Sequence, residues 1–285
     1  ASNNTAIGNQ ALLSNTTGTQ NTAIGALAGD AITTADENVT VGFNSLTTNT
    51  KSFYNVAVGN SVLAAHNLTS DAAGYNTGIG HNAGAAVSTG VENTLIGGLA
   101  GDALTDADHN VAVGYAALTT DTLGSSSTAI GRLTLSEQNF TSATSAFNTA
   151  VGAQAGQKVS SGIRNTLIGG LAGDALTDAD YNVALGQQAI TSDTLGSYTT
   201  AIGYGTLNNQ NFTSATNTYN TAVGALAGAA VTTGIKNTLI GGLAGGAITD
   251  ADFNVAIGFN ALSINTLGSR SVAIGFNALD AQNYS

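Results

Sequence analysis

An aliphatic residue followed by glycine returns sixteen times along this chain. The glycines are Gly8, Gly25, Gly42, Gly59, Gly80, Gly97, Gly114, Gly131, Gly152, Gly169, Gly186, Gly203, Gly224, Gly241, Gly258 and Gly275. Their separations run 17, 17, 17, 21 and repeat, so Gly8, Gly80, Gly152 and Gly224 occupy equivalent places. Taking Asn21 of Asn21-Thr22-Ala23-Ile24-Gly25 as first position, the fourth is always Ile, Val or Leu. The second is Thr or Val, and the third is usually Ala, with Leu95, Leu167 and Leu239 in one phase. Alternation of β-branched residues followed by Gly predicts a short strand that ends in a bend. The small eighth and apolar ninth positions predict a second short strand. Stretches such as Ser14-Asn15-Thr16-Thr17-Gly18 predict turns. Helix is excluded, because Asn, Thr and Gly disfavour it and no stripe with a 3.6-residue period runs through the unit.

Units this short bury no core alone and must stack. The expected fold is therefore all-β, a parallel β-roll or β-solenoid of 17-residue rungs within a 72-residue super-repeat. The whole chain, 1–285, reads as one array, with super-repeats at about 4–75, 76–147, 148–219 and 220–285. Rungs about 4.8 Å apart would make a rod roughly 75 Å long. Stacking turns equal positions into ladders, marked in one phase by Asn21, Asn93, Asn165 and Asn237, by Ile24, Ile96, Ile168 and Ile240, and by Gly25, Gly97, Gly169 and Gly241. The Asn ladder is expected to bond to itself and to turn backbone. The Ile/Val ladder is expected to be the dry stripe, and the third-position Ala a flat outer face that meets another chain.

Composition agrees with a continuous ladder. Pro, Cys, Met and Trp are absent, so there is no disulfide or thiolate zinc site, and no proline interrupts the backbone bonding. Only 8% of residues are charged, and the net charge of −11 disfavours binding to a phosphate backbone, so nucleic acid is not an expected partner. No run of 18 apolar residues is present to insert into a membrane. No signal peptide is expected, and both ends match the repeat, which predicts that the array continues or docks beyond them.

Candidate chemistry is sparse. His66, His81 and His109 occupy different repeat positions without recurring Ser or Asp partners, so no catalytic residues and no enzyme are expected. No cofactor is expected: Gly97-Gly98-Leu99-Ala100-Gly101 lacks the lysine of a phosphate loop. Acidic residues cluster at Asp102, Asp106 and Asp108 and again at Asp174, Asp178 and Asp180. That spacing could collect Ca²⁺, but solvated turn corners are the expected role and no metal site is assigned. Aromatics precede the first-position Asn (Tyr54, Tyr75, Phe147, Tyr181, Tyr198, Tyr219, Phe253) or follow the Gly (Phe43, Tyr115, Tyr204, Phe259, Phe276). They are expected to pack over turns or between chains, with glycan stacking as the alternative. Thr ladders raise ice binding as a further alternative, disfavoured here because Val39, Val56 and Val111 interrupt them. Asn-x-Thr sequons at Asn38, Asn67, Asn139 and Asn211 are given no role.

Asn21-Thr22-Ala23-Ile24-Gly25, followed by small residues and Thr-Thr-Gly turns, resembles repeats of phage tail fibres and bacterial surface fibres that often carry an endosialidase-type chaperone domain. It is also similar to the head repeat of YadA-like trimeric adhesins, to which Ser271-Val272-Ala273-Ile274-Gly275 comes close. The resemblance spans the chain, although the adhesin repeat is shorter than the unit found here. It implies a homotrimer of parallel β-rolls, an extracellular shaft or head on a virion or cell surface, and further fibre domains or a surface glycan or receptor as partners.

Overall fold

A computed structural model describes residues 2–284 of the chain. Among them there is no helix, and the backbone winds as a parallel β-solenoid of about sixteen turns. Two compact units divide the chain at residues 1–147 and 148–285. The division falls between the second and third super-repeats.

Each unit carries one three-residue strand per turn. The first unit holds Thr5–Ile7, Thr22–Ile24, Val39–Val41, Val56–Val58, Thr77–Ile79, Thr94–Ile96, Val111–Val113 and Thr128–Ile130. The second holds Thr149–Val151, Thr166–Ile168, Val183–Leu185, Thr200–Ile202, Thr221–Val223, Thr238–Ile240, Val255–Ile257 and Val272–Ile274. Within a unit, successive strands pair parallel with equal positions opposed, as in Thr5 with Thr22 and Ile7 with Ile24, or Leu167 with Ala184. The fifth-position Gly ends each strand. At Gly97, φ is 134°, and an added Cβ would lie 2.4 Å from the carbonyl oxygen of Gly114 on the next turn. Backbone thus packs directly on backbone, and only glycine fits.

Three further corners per turn are left-handed. They fall at the seventh position (Leu27, Leu99), at the ninth (Leu46, Leu118) and just before the Asn (Tyr54, His109). A left-handed non-glycine residue is strained, and the ladder offsets the strain. Leu99, His109 and Leu118 donate their N–H groups to His81, Val91 and Thr134 carbonyls on neighbouring turns at 2.9, 3.1 and 3.0 Å. Glycine marks the ninth-position corner in only some turns (Gly29, Gly84, Gly101) and never the corner before the Asn, so the sequence announces these corners incompletely.

The core reverses the expected faces. Third-position Ala23, Ala57, Leu95, Ala112, Leu167 and Leu239 are fully buried. The fourth-position Ile24, Ile79 and Ile130 are each 38% exposed and lie on the outer face. The reason is volume. The interior of so short a turn admits a large third residue only where glycine makes room. A Cβ on Gly84 or Gly101 would fall 2.6 or 2.7 Å from a Leu95 methyl, and one on Gly78 would strike Val62. Alternation reveals two faces but not which one is inside, and the bulkier one is outside.

The eighth and ninth positions form a turn, not the expected second strand. The extra pairings are Ser52–Phe53 with Ala72–Ala73, Gly124–Ser125 with Thr144–Ser145, and Gly196–Ser197 with Thr216–Asn217. Each ties a 21-residue turn, through its insertion, to the turn before it.

Candidate functional site

Positions two and four of every strand point outward and form two parallel columns, Thr or Val beside Ile, Val or Leu. No Asp, Glu, Lys or Arg occupies the first five positions of any turn. All seventeen acidic residues fall between the tenth position and the end of a turn. The strand face is therefore an uncharged, half-exposed surface of stiff β-branched side chains. Among the described residues no ligand-sized cavity opens anywhere on the chain.

Behind this face first-position Asn side chains close most turns, with Ser127, Thr199 and Ser271 in their place in the others. The Asn93 side-chain carbonyl accepts the Asn110 N–H at 2.9 Å, while its amide donates to the Ala107 carbonyl at 2.8 Å. Asn165 does the same with Asn182 at 3.0 Å and Ala179 at 2.8 Å. Asn21 bonds to Asn38 and Ala35, and Asn237 to Asn254 and Ala251. All four asparagines are fully buried. One amide thus links a turn to its successor and also to its own far side. Ile24, Ile96, Ile168 and Ile240, three residues further on, lie on the outer face, and Gly25, Gly97, Gly169 and Gly241 line the bend.

The acidic clusters do not converge. Asp102 accepts from the Thr119 hydroxyl at 2.5 Å, Asp106 from the Thr89 hydroxyl at 2.5 Å, and Asp108 from the Val91 N–H at 2.8 Å. Asp174 accepts from Thr191, Asp178 from Ser161 at 2.7 Å and Asp180 from the Ile163 N–H at 2.8 Å. Each carboxylate is tied to an adjacent turn, and no group of three or more potential ligands gathers among the described residues. In the last such cluster, hydroxyls of Thr233 and Thr232 hold the Asp250 carboxyl below its ordinary range.

Aromatic side chains before the Asn stack on one another. Tyr54 lies on Tyr75 with ring centres 5.2 Å apart, and Tyr181, Tyr198 and Tyr219 form a column with spacings of 4.9 and 5.4 Å. The Arg164 guanidinium covers the Tyr181 ring, and Lys236 and Arg270 flank Phe253. The faces within these stacks are therefore occupied by each other or by cations, while Phe43, Tyr115, Phe147 and Tyr204 stand exposed. Stacking a sugar requires a free face.

The histidines diverge. His109 meets Glu92 at 3.3 Å on the surface. His66 is fully buried, with Nε2 2.9 Å from the Ser52 hydroxyl and Nδ1 without a partner. Burial lowers its pKa to about 4. The His66–Ser52 pair joins two neighbouring turns, is not legible from spacing, and is sealed from any substrate.

His66 belongs to a second pattern that sequence reading missed. The twelfth position points into the core and is apolar in many turns, as at Ile32, Val87, Leu104, Val159 and Leu176. Once per super-repeat two consecutive turns carry polar residues there instead: Asn49 and His66, Asp121 and Gln138, Asp193 and Gln210, Asn265 and Gln282. Burial raises the Asp193 pKa, opposed chiefly by a hydrogen bond from Gln210.

No protein-family model matches the chain, and no curated protein is similar to it at a significant level. No helix among the described residues is long and apolar enough to cross a membrane.

Proposed function

We propose that the chain is a structural segment of an extracellular fibre, a phage tail fibre or adhesin shaft or head, assembled as a homotrimer through the outer strand face. One observation carries this reading. The fourth-position Ile, Val or Leu of every turn projects outward into an uncharged face. A three-residue strand about 10 Å long at a turn spacing of about 4.8 Å offers about 50 Å² per turn. Over the eight strands of each unit this is about 400 Å², half of the roughly 800 Å² that one partner contributes to a standard interface. An uncharged, half-apolar face of that size on each unit is comparable to the largest patch on a typical monomer, which is often functional.

Sedimentation equilibrium tests the proposal. The expected mass at micromolar concentration is three times that of one chain, which is 28.0 kDa. A folded β spectrum together with a mass of 28.0 kDa would overturn it.

A second reading draws on the same face. Val39, Val56 and Val111 count against ice binding as members of an interior or interchain stripe, yet they stand on an outward face beside Thr22, Thr77 and Thr94. If the chain proves monomeric, thermal hysteresis above that of an equimolar control protein would favour this role. Glycan binding through the aromatic columns has less support, because the stacked ring faces within them are covered.

A further inference from the structure

The turns of this solenoid are close to interchangeable, which poses a folding problem. A turn displaced by one repeat would find another Asn, Ala, Ile or Val, and Gly opposite its own. Near-degenerate pairings of that kind give alternative compact states unless something penalises them. Most ladder positions discriminate weakly, because they are of the same type in nearly every turn, the third-position Leu95, Leu167 and Leu239 being the main exception. The twelfth position discriminates more strongly. In the second super-repeat it reads Val87, Leu104, Asp121, Gln138, and in the third Val159, Leu176, Asp193, Gln210. All eight side chains are fully buried.

We infer that the buried Asp121–Gln138 and Asp193–Gln210 pairs are register keys, which let the chain stack turns only in the native phase. Gln138 donates to the Asp121 carboxylate at 2.6 Å and to the Ser127 hydroxyl at 3.1 Å. The other Asp121 oxygen accepts the N–H groups of Gly124 at 3.0 Å and Phe140 at 3.2 Å. Asp193 repeats the arrangement with Gln210 at 2.6 Å, Gly196 at 3.1 Å and Phe212 at 3.2 Å, and Gln210 also donates to the Thr199 hydroxyl at 3.0 Å.

These partners come together only where one turn meets the 21-residue turn after it. That following turn alone brings a Gln at its twelfth position, a hydroxyl in place of the first-position Asn, and the insertion that holds Phe140 or Phe212. The keyed turn adds its own requirement: a Cβ on Gly124 or Gly196 would lie 2.1 Å from the carboxylate oxygen. A slip of one turn would leave the carboxylate buried against Val or Leu with only the N–H of Gly124 or Gly196 in its own turn as donor, a costly mismatch for a core. Apolar residues mispaired with apolar residues carry no comparable penalty. A single buried polar position that sets register at some cost in stability has a parallel in coiled coils.

Hydrogen–deuterium exchange followed by mass spectrometry on refolded full-length chains tests the inference. One chain carries D121L, Q138V, D193L and Q210V, which makes the twelfth position apolar at both keys. A second carries D121N and D193N, the residue type that stands at Asn49 and Asn265 in the equivalent turns. Wild type and the amide chain are expected to give one isotopic envelope per peptide. The apolar chain is expected to fold with an unfolding midpoint at or above wild type. It should show two envelopes, the second exchanging fast over a 17-residue block that corresponds to a looped-out turn. A single envelope in the apolar chain, or two in the amide chain, overturns the proposal. If the apolar chain does not refold, D193L with Q210V alone should give two envelopes confined to residues 148–285. A single envelope there, doubling that spreads equally through residues 1–147, or failure of this chain to refold overturns the proposal as well.

Discussion

A primary amide suits the first position because it is short, planar and both donor and acceptor. Asn93 uses its carbonyl on the Asn110 N–H and its amide on the Ala107 carbonyl, with no solvent to replace either. Asn93→Ala strands both groups, at about 1–3 kcal/mol for each buried unpaired group. A fall of about 2–4 kcal/mol is expected in denaturant unfolding monitored by circular dichroism. Position nine makes the opposite demand. It is left-handed, and every other turn places Leu or Gly there, but Ile190 has φ of 46°. A β-branched residue in that conformation is strained. Ile190→Leu keeps the volume and relieves the branch, so stability should rise by about 1 kcal/mol in the same assay. A fall would mean that the site is shaped to the Ile side chain.

At the scale of one turn and its neighbour, the polar pairs determine how the core responds to pH. His66 is held neutral by burial, with a pKa of about 4 in the fold against 6.5 when free. The unfolded chain therefore binds the proton first as pH falls. The stability that neutral His66 permits is complete above about pH 6.5 and is lost progressively down to about pH 4, on the order of 3 kcal/mol in all. His66→Gln places the residue of the equivalent turns at this position and should flatten the unfolding midpoint between pH 6.5 and 4. An unchanged acid slope would assign the sensitivity elsewhere. Asp193 acts with the opposite sign. Its raised pKa favours the fold when the carboxyl is protonated, and that contribution is lost as pH rises through the folded value.

At the scale of the whole molecule, charge and apolar surface are kept apart. The strand faces are free of charged residues, while the acidic residues other than the buried Asp121 and Asp193 lie on the rest of each turn. Bringing copies together at the faces keeps the acidic corners apart, and salt screens what repulsion remains. Ile96→Lys with Ile240→Lys puts one cation on the outer face of each unit without touching the core. If the chain assembles as the proposed trimer, the pair is expected to abolish it in sedimentation at micromolar concentration. Retention of the trimer would show that association uses another surface.

The sequence by itself determined the number of turns, the parallel stacking and the glycine bend, because a ladder requires like residues at like positions and any stack displays that repetition directly. Tertiary structure alone decided which side of the strand is inside. Thr22-Ala23-Ile24 alternates equally well either way, and the choice depends on the width left between walls that close through left-handed corners, many of them at residues other than glycine. It also decided the meaning of the twelfth position. Asp121 and Gln138 read as ordinary polar turn residues one repeat apart. Only when the winding brings the two side chains to 2.6 Å inside the core do they become partners, because burial removes the water that would otherwise satisfy each of them alone.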